Sequence, residues 1–358
     1  MAKMASPALE SAVVPPTVNH RITLAARPVN RPVQPTDFRA DTAPIPEPAA
    51  GEVLLRTLYL SLDPYMRGRM SEAKSYAQPT QIGDVMIGEV VAEIVASNDP
   101  ALVPGDTVLA RSGWQEYAVM PAKGLIKVDG SKAPLSHYLG VLGMPGMTAY
   151  FALLDIGKPK PGQTVLVSAA SGAVGQVVGQ IAKLKGCRVI GIAGGPDKCA
   201  YVTHDLGFDA AIDYRGKDMA ALVAELAVLA PQGIDVYFDN VGGVIHDAAM
   251  ASLALNARII IVGAVAIYDR LETQDTGARW MRQILAKRAR MEGFLVFDYD
   301  HRRAEFLADM TAWLRGGLIR YREDVTEGLA NTPEAFIGML AGKNMGKQLI
   351  HVASPSSR

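Results

Sequence analysis

The chain has 358 residues, with 36 Lys and Arg against 36 Asp and Glu, 20% charged residues and 49% hydrophobic ones. At roughly 150 residues per domain, this predicts about two domains of ordinary globular composition. Zero net charge removes the attraction that non-specific nucleic-acid binding needs, and no apolar run approaches the ~20 residues that cross a bilayer.

Two cysteines, Cys187 and Cys199, are too few for a disulfide framework or a four-cysteine zinc lobe. The expectation is a cytoplasmic, soluble protein with no membrane or nucleic-acid partner. Residues 1–16 lack a basic n-region and a sustained apolar core, which argues against a signal peptide. Residues 1–18 are expected to be loosely ordered. Up to residue 50, Pro15, Pro16, Pro28, Pro32, Pro35, Pro44, Pro46 and Pro48 favour short edge strands and loops over helices. Between 52 and 111, VLLRTLYLSL, VMIGEVVAEIVA and DTVLA read as strands of an antiparallel, barrel-like domain.

The texture changes near residue 142. TVLVSAA (164–170) precedes a helix expected over 172–185, and RVIGIAG precedes another over 196–206. AAIDY, IDVYFDN, ARIIIVG and MEGFLVF complete six strand candidates with helical stretches between them, the pattern of a doubly wound parallel sheet. In the first helix Val174, Val177, Val178, Ile181 and Ala182 recur at i, i+3, i+4 spacing and face the sheet, leaving Lys183 and Lys185 to water. The tail ends in KQLIHV, a strand able to rejoin the first domain. The division expected is 1–141 for a catalytic and substrate domain, 142–321 for a dinucleotide-binding domain, and 322–358 for a returning C-terminal segment.

The strongest motif is the turn Ala169–Gly175, AASGAVG, between a strand and a helix. Gly172 lets the backbone approach a pyrophosphate and Gly175 permits close contact of helix and sheet. The helix N-terminus offers free N–H groups and partial positive charge to phosphate. A NAD site carries an acid about 20 residues on, at the tip of the second strand. Here the tip reads Ile192-Ala193-Gly194-Gly195, and Lys198 follows where an ammonium meets a 2′-phosphate. Asp197 serves either a NAD ribose or, as is commoner for an acid at a helix start, solvent. NADP(H) is the cofactor expected.

AASGAVGQVVGQIAK, AGGPDKCAY and GFDAAIDY, with YLSLDPYMRGRM, GWQEYAV, LGMPGMTAYFAL, FDNVGG, GFLVF and GKNMGKQLI, resemble the zinc-free medium-chain dehydrogenase/reductase superfamily. Within it, they resemble the leukotriene/prostaglandin reductase and 2-alkenal reductase branch, which includes bacterial curcumin-reductase-like enzymes. The resemblance runs from about Asn19 to Val352. It implies a Rossmann sheet joined to a GroES-like, mostly β catalytic domain. It places Met144 and Thr148 at the nicotinamide end and Gly172, Ala173 and Val174 on the pyrophosphate, beside Gly175. Lys198 and Tyr214 would clasp the 2′-phosphate, next to Gly194. Asn240, Gly263 and Tyr268 would contact the centre of the cofactor, Phe294 and Val296 would offer backbone groups to the carboxamide, and Asn344 would close the site. Spacing alone assigns Tyr214 and Asn240 to strand-end packing or capping.

Zinc-dependent members carry a Cys and a Gly-His-Glu segment where this chain reads SLDPYM and IGEVV. His20, His137, His204, His246, His301 and His351 are scattered without ligand spacing, so a metal-free reaction is expected. Its implied form is hydride transfer to the β-carbon of an α,β-unsaturated ketone or aldehyde, followed by protonation of the enolate. Tyr65 and Tyr268 match tyrosines of the substrate pocket in similar reductases, and a phenol with pKa ~10 can donate while neutral. Arg67 and Arg69 are expected to be solvated or paired with acids. A quinone reductase of the same superfamily and a non-catalytic NADPH-binding protein stay open as alternatives. Specificity is expected from loops 65–80, 111–117 and 268–282. A homodimer is expected, pairing the last strand near Gly293 to Phe297 with its twin.

Overall fold

The computed structural model describes residues 17–356. The stretch expected to be loose therefore lies outside the described residues up to 16, while Val18 already opens a strand. β1 (Val18–Leu24) and β2 (Phe38–Pro44) form an antiparallel ribbon with Val18 opposite Pro44. β3 (Glu52–Ser61), α1 (Tyr65–Arg69), β4 (Val90–Ser97), β5 (Thr107–Ala110), β6 (Tyr117–Pro121) and β7 (Ile126–Val128) follow. In β3 the alternation buries Val53 and Leu55 and turns Arg56 outward to pair with Glu93.

The sequence expectation of one strand over 85–96 is corrected. Residues 85–89 spread their backbone bonds over three segments, Met86 to Ile22 and Trp114, Gly88 to Gly113, and Glu89 to Ser61. No ladder with a single neighbour forms until Val90.

α2 (Met144–Phe151) is almost wholly buried and leads through a π-helical turn to the second sheet. That sheet takes β8 (Thr164–Val167), α3 (Gly175–Leu184), β9 (Arg188–Ala193), α4 (Pro196–Ala200) and β10 (Ala210–Asp213). It continues with α5 (Met219–Leu229), β11 (Ile234–Asp239), α6 (Gly243–Ala251), β12 (Leu253–Ile261), α7 (Met281–Lys287) and β13 (Arg290–Gly293). Its order is β10-β9-β8-β11-β12-β13, with every neighbouring pair parallel. This is the doubly wound sheet the alternating pattern predicts. In α3, Val177, Val178, Ile181 and Ala182 are fully buried as expected, each large apolar side chain contributing about 1.5–3 kcal/mol. Lys183 does not end in water but pairs with Asp209 at 2.9 Å.

Three boundaries differ from the expectation. The helix over 172–185 starts at Gly175 because the glycine-bearing turn that follows β8 occupies the residues before it, and the helix over 196–206 divides into α4 and a π-helical turn. The strand over 291–297 stops at Gly293. Phe294 and Val296 sink instead into the core under α2 and α8 (Arg303–Arg315), where Phe294 stacks near Tyr299 at 5.0 Å.

After α8 come β14 (Glu323–Glu327), α9 (Thr332–Leu340) and β15 (Lys347–His351). β15 pairs antiparallel with β3, Leu349 opposite Ser61, so KQLIHV rejoins the first sheet as its pattern predicts. The first sheet then reads β14-β15-β3-β4-β5-β7, with β6 also on β3. The two sheets meet where Gly346 donates its N–H to Ser171 O at 3.1 Å. Among the described residues no helix is long and apolar enough to cross a membrane.

Candidate active site

The cleft between the sheets consists of two adjoining cavities of about 220 and 280 Å³ that share Asp63, Pro64, Ala169, Gly172, Ala173 and Val265. They lie beyond the C-terminal ends of the parallel strands, where a doubly wound sheet binds its ligands. The first holds Tyr65, Met144, Thr148, Val174, Gly175, Asn240, Gly263, Tyr268, Phe294 and Val296; the second holds Gly194, Lys198, Tyr214 and Asn344. Together they contain every residue that the sequence singles out for the site.

The nucleotide end is shaped by backbone. A Cβ on Gly175 would stand 2.3 Å from Ala169 O, so only glycine allows α3 to start this close to β8. Ala169 itself holds φ at +48°, a left-handed conformation at the tip of the strand. Just beyond β9, at the start of α4, Gly195 takes φ +97°, its N–H bonded to Asp213 Oδ1 at 2.8 Å, and a Cβ there would lie 3.0 Å from Arg215 Nη1. Backbone N–H groups of Gly195 and Arg215 hold the Asp213 carboxyl below its usual range. Lys198 donates to Gly342 O at 2.7 Å. Burial lowers the pKa of this lysine, and the neighbouring Arg215 lowers it further. Lys198, Tyr214 and Arg215 therefore surround one small region at the end of the second cavity. Arg215 and Asp213 were not singled out in the sequence, although a base following AAIDY at the strand tip is a legible signal. Asp197 is exposed and outside both cavities.

At the other end, the strand-end reading of Asn240 is confirmed, since its side chain donates to Ser168 O at 2.7 Å while the residue also lines the cavity. Thr148 donates its hydroxyl to Met144 O at 2.8 Å. Phe294 N–H is taken by Ile261 O at 3.0 Å, which leaves its carbonyl as the group on offer. Tyr65 on α1 and Tyr268 on the 3-10 turn 265–270 line the same cavity, with Tyr76 as a third phenol that no sequence motif marks. Burial raises Tyr65 well above the ordinary phenol range, with Asp63 and Glu89 pushing the same way and Arg111 and Arg69 against. Burial likewise pushes Tyr268 up to about 12. Both phenols are neutral donors at physiological pH.

The expectation that Arg67 and Arg69 are solvated or acid-paired holds for Arg67, which faces Asp269, and is corrected for Arg69. Arg67 is fully buried, donating from Nη2 to Pro28 O at 2.6 Å, while its Nε and Nη1 have no acceptor; Asp269 Oδ1 stands 3.9 Å from Nε. Arg69 is 8% exposed and has no carboxylate partner; it lies against the rings of Tyr65 and Tyr76. The short helix α1 carries both arginines inward because Met66 and Met70 bury the rest of its surface. Among the described residues no cluster of three His, Cys, Asp or Glu side chains has metal-binding geometry.

Comparison with known proteins gives two family matches, "N-terminal domain of oxidoreductase" over residues 20–128 and "Zinc-binding dehydrogenase" over 173–313. The NADPH-dependent curcumin reductase of Escherichia coli is 49% identical over 339 residues, spanning 94% of this chain and 97% of the relative. The NADP(+)-dependent 2-alkenal reductase of Nicotiana tabacum is 42% identical over 311 residues, 86% of this chain and 89% of the relative. A crystal structure of CurA from Vibrio vulnificus in complex with NADPH is 50% identical, covers 94% of this chain and 100% of its own, and has a TM-score of 0.89. With both sheets, the glycine turn and the sequence blocks in register over this length, the chain belongs to the zinc-free branch of the medium-chain dehydrogenase/reductase superfamily, in the group of the curcumin and 2-alkenal reductases.

Proposed function

We propose that this protein is an NADPH-dependent reductase of the C=C bond of α,β-unsaturated ketones and aldehydes. The observation that carries the reading is one continuous cleft with a basic, glycine-edged end and an apolar end lined by tyrosines. A dinucleotide phosphate fits the donor set. The N-terminus of α3 and the turn 169–175 suit the pyrophosphate. Lys198, Tyr214 and Arg215 suit the 2′-phosphate, and Lys198 has only the Gly342 carbonyl to exchange for it. Asn344 closes the same end, its amide tied to Gly346 O at 2.8 Å. The carboxamide would meet the Phe294 carbonyl and the Val296 N–H, beside Met144 and Thr148. When bound, the cofactor supplies the hydride that the β-carbon accepts.

The chain's own work is positioning and charge stabilisation. The walls formed by Met144, Val265, Phe294 and Phe297 exclude water and hold the alkene flat. The Tyr65 hydroxyl donates to the substrate carbonyl oxygen and steadies the oxyanion that develops there. Tyr268, on the same cavity, orients the substrate, and Tyr65, Tyr268 or water supplies the one proton that the enolate takes up on its α-carbon. SLDPYM and IGEVV provide neither Cys nor His, so the polarising role falls to these phenols rather than to a catalytic zinc. The test is absorbance at 340 nm during mixing of protein, NADPH and a panel of enones and enals. Oxidation dependent on the alkene supports the reading; no turnover on any enone or enal of the panel, with quinones alone reduced, overturns it.

We also infer a homodimer across β13. This strand ends the six-stranded sheet, all four of its residues are exposed, and the nearby Met281 and Leu285 are 73% and 77% exposed. An open edge beside apolar side chains is satisfied by two-fold pairing. Light scattering at micromolar concentration should return twice the chain mass; a single-chain mass contradicts the inference.

A further inference from the structure

Around the apolar cavity most cations face a carboxylate among the described residues. Lys347 Nζ lies 2.8 Å from Asp63, Arg111 Nε 4.0 Å from Glu89, and Arg67 Nε 3.9 Å from Asp269. Arg69 faces none. More than nine-tenths buried, its guanidinium carbon stands 4.8 Å over the ring of Tyr76 and 5.9 Å over that of Tyr65, both of which line the cavity. An arginine that is this buried as a residue, with no anion facing it, gives up much of its hydration, and contact with aromatic faces returns only part of that. Such an arrangement is explained when negative charge appears nearby during the reaction.

We propose that Arg69 is a positioning residue that holds positive charge against the rings of Tyr65 and Tyr76, so that the Tyr65 hydroxyl donates more strongly to the oxyanion forming on the substrate. The proposal rests on the reductase reading above. A cation on the face of a phenol withdraws electron density from the ring and strengthens the O–H as a donor. The other charges that act on these phenols are accounted for. Asp63 and Glu89 oppose Arg69 at Tyr65, Arg111 acts with it, and Tyr76 opposes it at Tyr268. Because the charge is fixed before the reaction, it needs no reorganisation when the oxyanion develops. Arg69 does not itself line the cavity, so it works through the phenols and not by gripping a substrate carboxylate.

Three readouts test this. In Arg69→Met, kcat for enone reduction should fall about ten- to a hundredfold with KM for NADPH within about twofold, and Arg69→Lys should recover part of the loss. The NADPH-loaded wild-type protein should bind p-nitrophenol, an oxyanion probe followed at 400 nm, with the bound probe ionising at lower pH than the free one. That downward shift should shrink in Arg69→Met. An unchanged kcat in Arg69→Met, a rise in KM alone, or a wild-type probe that fails to bind or ionises no lower than in water overturns the proposal. The probe measurement on wild-type protein stands even if a variant does not fold. Wild-type protein inactive on every enone is the separate failure of the reductase reading.

Discussion

The nucleotide end of the cleft takes its key residues from the tips of three adjacent parallel strands, β8, β9 and β10. The catalytic end collects side chains from four separated segments, 63–76, 144–148, 265–268 and 294–297. At the first end, backbone conformation carries the chemistry: left-handed Ala169 and Gly195, and a Gly175 that no Cβ could replace. At the second, under the proposed function, phenols from segments far apart in the chain would carry it, with the segment before α1 tied to the C-terminal strand through the buried Lys347–Asp63 pair. The contrast predicts that binding and chemistry in this molecule are separable. Changes at one end should alter cofactor affinity, changes at the other should alter turnover, and only the ties between the sheets should alter both.

The largest effect is expected inside the first sheet, at the pair that anchors the segment leading into α1. Lys347 and Asp63 are 1% and 6% exposed, and Lys347 also donates to Leu62 O at 2.7 Å. Lys347→Met leaves an uncompensated buried carboxylate and should cost about 3–5 kcal/mol in chemical denaturation. A variant as stable as wild type would show that the segment leading into α1 needs no such anchor.

Next is Tyr65→Phe, which should lower kcat about a hundredfold on a good enone while the Kd for NADPH stays within error, measured by nicotinamide fluorescence. The double variant with Tyr268→Phe should fall further. Two single variants and a double variant at wild-type kcat would leave the pocket working by positioning alone.

At the opposite end, Lys198→Ala should raise KM for NADPH roughly 10- to 150-fold, the value of one charge-assisted bond, with little change for NADH. An unchanged NADPH/NADH preference breaks the comparison on the nucleotide side.

The smallest effect concerns pH. Burial and Arg215 lower the pKa of Lys198 in the free protein, whereas a bound 2′-phosphate favours the charged form. NADPH affinity is therefore full while Lys198 is protonated and weakens as pH rises through its lowered pKa, short of the ~10.4 of a free lysine. Titration calorimetry across the alkaline range should show this for NADPH and not for NADH; identical profiles would remove Lys198 from the clasp.

This division also decides what could be read from the residues alone. The glycine turn and Lys198 stand at fixed offsets from strands whose apolar runs are unmistakable, because a parallel sheet buried on both faces imposes that pattern, whereas Tyr214 was given its part only by resemblance. Tyr65 and Tyr268 were legible only through resemblance, since no local spacing brings residues 203 positions apart onto one cavity. Arg69 was misread because a sequence GRM offers no sign that Tyr76 will fold back over it. Phe294 was assigned to an edge strand because an apolar run fits either a ladder or a core, and the core under α2 and α8 won. Tyr76 carries no motif at all, and Arg215 was passed over although it follows AAIDY directly; their parts emerge from distances.

The account's central claim is hydride delivery to carbon under a phenol that holds the carbonyl oxygen. It is tested most directly by turning over an enone with NADPH deuterated at the transferred position in ordinary water, and locating the label by NMR. One deuterium on the β-carbon, an ordinary hydrogen on the α-carbon and an intact carbonyl are the predicted result. Deuterium on the carbonyl carbon, giving an allylic alcohol, would contradict it.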